Sequence, residues 1–274
     1  MKVRFWGVRG SIPSPGPATV RMGGNTPCVE VVADNETLIF DSGSGIRALG
    51  NKLMREGKPV RACLFMTHCH HDHVQGWPFF VPAFVPTTRL RVFSERKGEM
   101  GPKDIFSGIM VPPYFPIPLV AMKAQFEWNE VKDGDAVNVT PHLTVTARKL
   151  NHPNGALGYR IESTEKGRTR AIAYITDTEH GPEPDQNVIE LARNTEAMIY
   201  DCCYTPPEYE SRKGWGHSTW VEGVKIAKLA KAKRLMIFHH DQGHTDKDMD
   251  KILGEARKEH KATFLAYEGL ELSF

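Results

Sequence analysis

Between Thr67 and Gly76 the chain reads Thr-His-Cys-His-His-Asp-His-Val-Gln-Gly, and four of its 12 histidines fall between His68 and His73, with Asp72 among them. Imidazole nitrogen and carboxylate oxygen are the donors that bind zinc, manganese and iron. Buried in a core without partners, such a cluster would be costly. The apolar run Ala62 to Met66 reads as a buried strand that ends on it. A surface histidine run or an artificial tag would have neither that strand nor the interspersed Asp. Metal binding is the chemistry this stretch points to. Pro78 and the aromatics after Gly76 leave room for at most a short helix.

Five apolar runs share one feature. Thr37-Leu-Ile-Phe ends in Asp41, Cys63-Leu-Phe-Met-Thr in His68, and Ala171-Ile-Ala-Tyr-Ile-Thr in Asp177; Ala197-Met-Ile-Tyr ends in Asp201, and Leu235-Met-Ile-Phe in His239. Each reads as a buried strand that delivers a polar side chain at its carboxyl end. Ligand sites of α/β folds gather at such ends, so one site fed by five strands is the economical reading. Alone, any of these residues would be a turn or a cap; five together weaken that alternative.

The order His68-x-His70-x-Asp72-His73 resembles the signature of the metallo-β-lactamase superfamily, and the likeness extends to scattered positions along nearly the whole chain. It implies a four-layer αββα sandwich, with two mixed sheets face to face and helices outside. It also implies two divalent cations, zinc or manganese foremost, with iron as a further option. His68, His70 and His152 would hold one cation, and Asp72, His73 and His239 the other. Asp177, in Tyr-Ile-Thr-Asp-Thr, would be shared, holding the pair roughly 3.5–4 Å apart as two-metal hydrolases do. His240 is the alternative to His239. Cys69 and His71 would be spacers, with Cys69 as a ligand the lesser reading. Asp41, in Asp-x-Gly-x-Gly, would fix the tautomer of a metal-bound histidine, or it is a polar turn residue. Relatives that reduce oxygen at two irons carry Glu at the position of His70, which implies hydrolysis here.

The totals bound the answer. A chain of 274 residues suffices for one large domain, taken here as residues 1–274 with an insertion at about 77–125. Hydrophobic content of 40% and charge of 25% are those of an ordinary soluble protein. With 35 basic against 33 acidic residues there is no electrostatic grip on a long polyanion, although bound cations would favour a small anionic substrate. No signal-peptide core opens the chain and no apolar run is long enough for a membrane span. Five cysteines, without C-x-x-C spacing, make no disulfide framework, so a cytoplasmic setting is expected.

Taken in order, Met1 to Val8 reads as a strand, and Val29 to Ala33 with Thr37 to Phe40 as a hairpin about Asp34-Asn35. A helix follows from Ile46 to Arg55. From Trp77 to Gln125 prolines recur among aromatics, as in a lid, a pocket wall that stacks on a nucleobase, or an oligomer contact such as a homodimer's. Phe126 to Val139 reads as two strands joined at Asp133-Gly134, and Leu143 to Leu150 as another. Leu157 to Ser163 and Thr169 to Thr176 form a hairpin turning at Lys166-Gly167. Helices are expected over Asp185 to Arg193, from Trp220 to about Lys231 behind a Thr219-x-x-Glu222 capping box, and over Lys247 to Lys258. Strands Phe264 to Tyr267 and Leu270 to Phe274 close the fold.

His217, in Gly-His-Ser-Thr-Trp, lies just before a helix start and is either an additional cap or a functional group. In ribonuclease Z, a superfamily branch, a matching His-Ser-Thr histidine pairs with Glu; here the acid would be Asp201. The resemblance thus implies a phosphodiesterase. Solvent shared by the two cations would ionise near neutral pH and act as nucleophile, since one zinc already lowers the pKa of water to about 7. His217 would be the general acid, Asp201 would orient it, and Asp72 would stand among both ligands and catalytic residues. Trp6 to Pro13 and Gly23 to Cys28 are similar to the cyclic-nucleotide branch, so small phosphodiesters are the expected substrates. A ribonuclease Z-like tRNA 3′ endonuclease, and a non-catalytic or cofactor-biosynthesis protein of the same fold, are the alternatives.

Overall fold

The computed structural model describes residues 1–274. The first half of the chain runs β1 (Lys2–Gly7), β2 (Cys28–Ala33), β3 (Glu36–Phe40), α1 (Ile46–Arg55), β4 (Arg61–Phe65), α2 (His71–Val74), β5 (Arg89–Ser94), α3 (Pro102–Gly108) and β6 (Gln125–Glu130). The second runs β7 (Ala136–Thr140), β8 (Leu143–Leu150), β9 (Ala156–Glu165), β10 (Arg168–Ile175), α4 (Gln186–Ala192), β11 (Ala197–Asp201), α5 (Pro206–Glu210), α6 (Trp220–Ala230), β12 (Leu235–Phe238), α7 (Asp246–Glu259), β13 (Thr263–Leu265) and β14 (Glu271–Ser273). No helix is long and apolar enough to cross a membrane.

The strands make two seven-stranded sheets, ordered β14-β1-β2-β3-β4-β5-β6 and β13-β12-β11-β10-β9-β8-β7. Each has an antiparallel part and a parallel part. In the first the parallel run is β3 to β6, and in the second β10 to β13. The parallel strands show why four layers form. In β4, Cys63 and Phe65 enter the core between the sheets, while Ala62 and Leu64 enter the core under the outer helices. In β12, Met236 and Phe238 take the first role and Leu235 and Ile237 the second. Successive strand side chains point to opposite faces, so a strand apolar at every position must be covered on both. Helices α4, α6 and α7 cover the second sheet; α1, α3 and the Trp77–Phe84 turns cover the first.

Most expected elements are present within one or two residues. The hairpin turn at Asp34 and Asn35 has φ of 49° and 62°, as a two-residue turn matched to strand twist requires. Two expectations change. The strands joined at Asp133-Gly134 are not neighbours: β6 edges one sheet and β7 the other, so this link carries the chain between sheets. The insertion expected at 77–125 is for the most part no insertion. It contributes β5, paired in parallel with β4 and β6, and α3. Trp77, Phe80 and Phe106 are fully buried, with Trp77 and Phe106 ring centroids 4.6 Å apart. The tip between Val111 and Val120 stays open, with Tyr114 87% and Val120 77% exposed.

Phe65 fixes the two sheets against each other. Its ring lies 4.5 Å from Phe93, 5.5 Å from Phe40 and 5.5 Å from Tyr159 on the opposite sheet. Phe65→Ala should destabilise the protein by about 3–5 kcal/mol, read as a lower denaturation midpoint in urea; a change below about 1 kcal/mol would show that the inter-sheet core is not closed here.

Candidate metal centre

The carboxyl ends of β3, β4, β10, β11 and β12 open on one edge of the sandwich and deliver Asp41, His68, Asp177, Asp201 and His239. Three of these residues take the left-handed backbone conformation, with φ of 61° at Asp41, 57° at Asp177 and 60° at His239. Asp and His are among the few non-glycine residues that tolerate it. The turn it makes ends each strand abruptly. The loop after β4 with α2 supplies His70, Asp72 and His73, the turn after β8 supplies His152, and the segment before α6 supplies His217.

These side chains gather in four overlapping groups: His217 lies with His152 and Asp177 in one and with Asp201, Cys203 and His239 in another, and the other two make up the centre. Donor atoms of His68, His70 and His152 lie within 4.8 Å of one another, and so do those of Asp72, His73, Asp177 and His239. Asp177 divides its oxygens between these two. Its Oδ2 is 3.6 Å from His68 Nε2 and 3.9 Å from His152 Nε2. Its Oδ1 is 3.2 Å from the Nε2 atoms of both His73 and His239. Asp72 Oδ2 is 3.2 Å from His239 Nε2 and accepts the Ser11 backbone N–H at 2.8 Å.

The surrounding bonds set tautomers. His73 Nδ1–H donates to Asp41 Oδ2 at 2.8 Å, so in the neutral ring that would hold a cation Nε2 carries the lone pair on the cluster side. Asp41 is fully buried and also accepts from the Thr67 N–H at 2.8 Å, the Thr67 hydroxyl at 2.9 Å and the Tyr174 hydroxyl at 3.0 Å. His152 Nδ1–H donates to Gly216 O at 2.8 Å, turning its Nε2 toward His70 Nδ1, 3.0 Å away. Gly216 has φ of 86°, and a Cβ on it would lie 2.2 Å from His152 Nδ1, so only glycine allows this approach. Gly10 plays the same part for His239, where a Cβ would meet the ring at 2.5 Å.

Burial pushes the His68 imidazole well below its usual pKa, and neighbouring His73 adds to the fall, so His68 is a neutral donor. Burial also lowers His152. At His73 burial pulls down too, but Asp177, Asp72 and Asp41 outweigh it and raise the ring. Asp72 and Asp177 go the other way: burial would raise them, and the facing imidazoles hold both well below the carboxylate range. The Nε2 atoms of His68 and His73 are buried without any hydrogen-bond partner. Unpaired buried nitrogens among carboxylates are what a bound cation would satisfy. The donors are nitrogen and oxygen alone, a set that suits zinc, manganese or iron.

His217 stands beside the centre on a partner of its own. Its Nδ1–H donates to Asp201 Oδ2 at 2.9 Å, and its ring stacks on His239 with centroids 4.9 Å apart. Burial pulls its pKa down, but Asp201, by charge and hydrogen bond, and then Asp177 and Asp72 raise it to about 9. Asp201 is held by the N–H groups of Thr178 and Cys203, each at 3.1 Å. His217 caps nothing: the α6 cap is Thr219, which accepts the Glu222 N–H at 3.2 Å. The reciprocal half of the expected capping box is absent, since the Glu222 carboxylate pairs with Lys225.

Other candidates fall away from the centre. His240 Nε2–H donates to Ala266 O at 2.8 Å, and burial takes this ring down to about 3. Cys69 packs against the apolar cluster under the first sheet, and burial raises its thiol. His71 points to solvent. Two contributors had no signal in the sequence: the Ser11 amide and the Glu179 carboxylate, which accepts the N–H groups of Gly214 at 2.7 Å and Gly216 at 2.8 Å.

Residues 36–240 match the family described as the Beta-lactamase superfamily domain. A ribonuclease Z of Archaeoglobus fulgidus is 24% identical over 324 aligned positions that take in 100% of this chain and 98% of the relative. Among solved structures, the metallo-beta-lactamase fold protein YhfI from Bacillus subtilis superposes with a TM-score of 0.71 at 17% identity, covering 99% of this chain and 98% of that one. A diphosphatase from the PhnP family also superposes at 0.71, at 20% identity, covering 100% and 97%.

Added zinc or manganese should stabilise the metal-stripped protein, by about 2.7 kcal/mol at a free concentration 100 times Kd, read as a rise in thermal midpoint. Asp177→Ala should lose most of that rise and bind fewer than two ions per chain by elemental analysis. Two ions retained in this variant would refute a shared carboxylate.

Proposed function

Because the chain belongs to the metallo-β-lactamase superfamily, in the branch of ribonuclease Z and PhnP-like proteins, we propose that it is a dinuclear metal-dependent phosphodiesterase of small phosphodiesters such as cyclic nucleotides, a single catalytic domain with His217 as its general acid. His68, His70 and His152 would hold one cation, Asp72, His73 and His239 the other, and Asp177 would serve both. Bound there, the cations supply Lewis acidity that makes water a nucleophile near neutral pH and offset the charge growing on the phosphoryl oxygens.

One observation carries the reading. An imidazole that lies beside His152, Asp177 and His239 but is not needed in either proposed ligand set is held by its own carboxylate, with Nδ1–H on Asp201 and Nε2 making no hydrogen bond. When water attacks phosphorus and the P–O bond to the departing group breaks, that oxygen leaves as an alkoxide unless it receives a proton. His217 Nε2–H supplies it, and Asp201 keeps the ring protonated and correctly turned. β-Lactams, thioesters and lactones have less need of such a group.

Small substrates are favoured over tRNA by charge and by chain length. The formal net charge is +2, and only 24 residues lie between His152 and Asp177. The hairpin β9–β10 occupies that interval and turns at Lys166-Gly167, leaving no room for a projecting arm. The Archaeoglobus alignment is 50 positions longer than this chain (324 against 274), so the relative carries segments absent here. Its name keeps a ribonuclease Z-like activity as the second reading.

With added manganese or zinc, 3′,5′- or 2′,3′-cyclic nucleotides or dinucleotides should be hydrolysed and precursor tRNA left intact; cleavage of the tRNA alone would reverse the order of the two readings. His217→Ala should retain both ions yet lose about 10²–10⁴-fold in turnover on alkyl phosphodiesters. The loss should be much smaller on bis(p-nitrophenyl) phosphate, whose leaving group needs no proton. Equal losses on both substrates would remove the acid role.

A further inference from the structure

Of the bonds that fix the segment carrying His217, those on its N-terminal side converge on one carboxylate. Glu179, two residues past Asp177, turns its carboxylate onto the Gly214–Gly216 loop. Its Oε1 accepts the Gly214 N–H at 2.7 Å and the Tyr209 hydroxyl at 3.1 Å, and its Oε2 accepts the Gly216 N–H at 2.8 Å. The backbone of Glu179 is itself anchored: its N–H donates to Asn151 O at 2.8 Å, and its O accepts Asn151 Nδ2–H at 2.9 Å. Asn151 precedes His152. The carbonyl of Gly216 orients His152, and the next residue is His217. Glu179 therefore touches, through one peptide unit in each direction, the placement of a donor of the first group and that of the general acid.

Gly214 and Gly216 have φ of 85° and 86°, so this loop has no intrinsic preference for the geometry it holds. The one large apolar side chain of this loop does not pin it: Trp215 is 62% exposed. Bonds from amides to an ionised carboxylate are among the stronger hydrogen bonds and give direction as well as energy. We infer that Glu179 is a positioning residue that locks the Gly214–Gly216 loop and thereby sets His217 Nε2 against the leaving-group oxygen, a role that rests on the acid function proposed for His217. Glu179 touches neither substrate nor metal; it acts through Gly216 and His217.

The test has a chemical and a physical arm. In metal-loaded protein, Glu179→Ala should lower the ratio of alkyl to p-nitrophenyl phosphodiester turnover at least tenfold, and Glu179→Gln, which keeps one acceptor oxygen, by less. In the His217→Ala background Glu179→Ala should leave that ratio where His217→Ala has put it, because both act on one proton transfer. In metal-free protein, hydrogen exchange of the 214–217 amides, read by mass spectrometry, should speed up at least tenfold in Glu179→Ala while β11 and α6 keep their protection. A ratio moved by His217→Ala but not by Glu179→Ala overturns the inference, as does unaltered exchange or a further fall in the ratio of the double variant. A ratio that His217→Ala fails to move overturns the acid reading instead.

Discussion

The carboxylate of Asp177 is buried between two groups of imidazoles with one oxygen turned to each, and the two sheets must meet in one register for this to hold. Removing a carboxylate from water costs several kcal/mol unless positive charge meets it. The imidazoles that face it, and that would share a bound cation with it, arrive from both sheets: His68, His70 and His73 follow β4, while His152 and His239 follow β8 and β12. A slip of one sheet by a single residue, about 3.3 Å, would turn an oxygen toward apolar side chains. Aromatic packing about Phe65 resists such a slip. Two polar ties cross the same gap, from the Tyr159 hydroxyl to Met66 O at 2.6 Å and from the Tyr174 hydroxyl to Asp41 at 3.0 Å. Both tyrosines belong to the second sheet and both acceptors to the first.

The backbone at the strand ends obeys the same constraint. A left-handed residue costs roughly 1–2 kcal/mol, and Asp41, Asp177 and His239 all accept that cost. An extended residue there would carry the chain onward along the strand axis. The left-handed turn instead stops it, and the side chain comes to rest in the gap between the sheets. Asp and His are thus suited twice over, as donors or partners of donors and as side chains compatible with the turn.

Much of this was legible in the sequence because it follows from local pattern. A strand buried on both faces reads as a continuous apolar run, and the polar residue that breaks it marks the open end, which is why His68, Asp177, Asp201 and His239 stood out. The hairpins about Asp34-Asn35 and Lys166-Gly167 were legible from turn chemistry. Strand β5 was not. Arg89 and Arg91 alternate with Leu90 and Val92, and the prolines on either side make the stretch look like an excursion, although sheet pairing overrides that appearance. The crossing from β6 to β7 was hidden because a two-residue turn signal does not say whether its strands pair. The parts of the site supplied by backbone atoms, the Ser11 N–H and Gly216 O, have no residue-type signature at all. Glu179 had none either, since its partners are amides of glycines 35 and 37 positions away.

The donor groups and His217, the proposed general acid, are held by different physics. His68, His73, Asp177 and His239 follow strands whose side chains fill two cores, so their positions are set by burial spread over many residues. His217 lies on a segment between β11 and α6 whose fixed points are individual hydrogen bonds: Asp201 to its ring, Glu179 to the glycine amides before it, and, after it, His180 and the Tyr204 amide to Ser218 and Thr219 at the helix start. Hydrogen bonds to charged groups are worth about 1.5–3 kcal/mol each, so one substitution there moves the acid and leaves the sandwich intact. A sheet residue cannot be changed so locally. On the proposed function, the segment that would have to match the leaving group is thus the one held by separable interactions, so it could change while the metal-binding frame stays as it is.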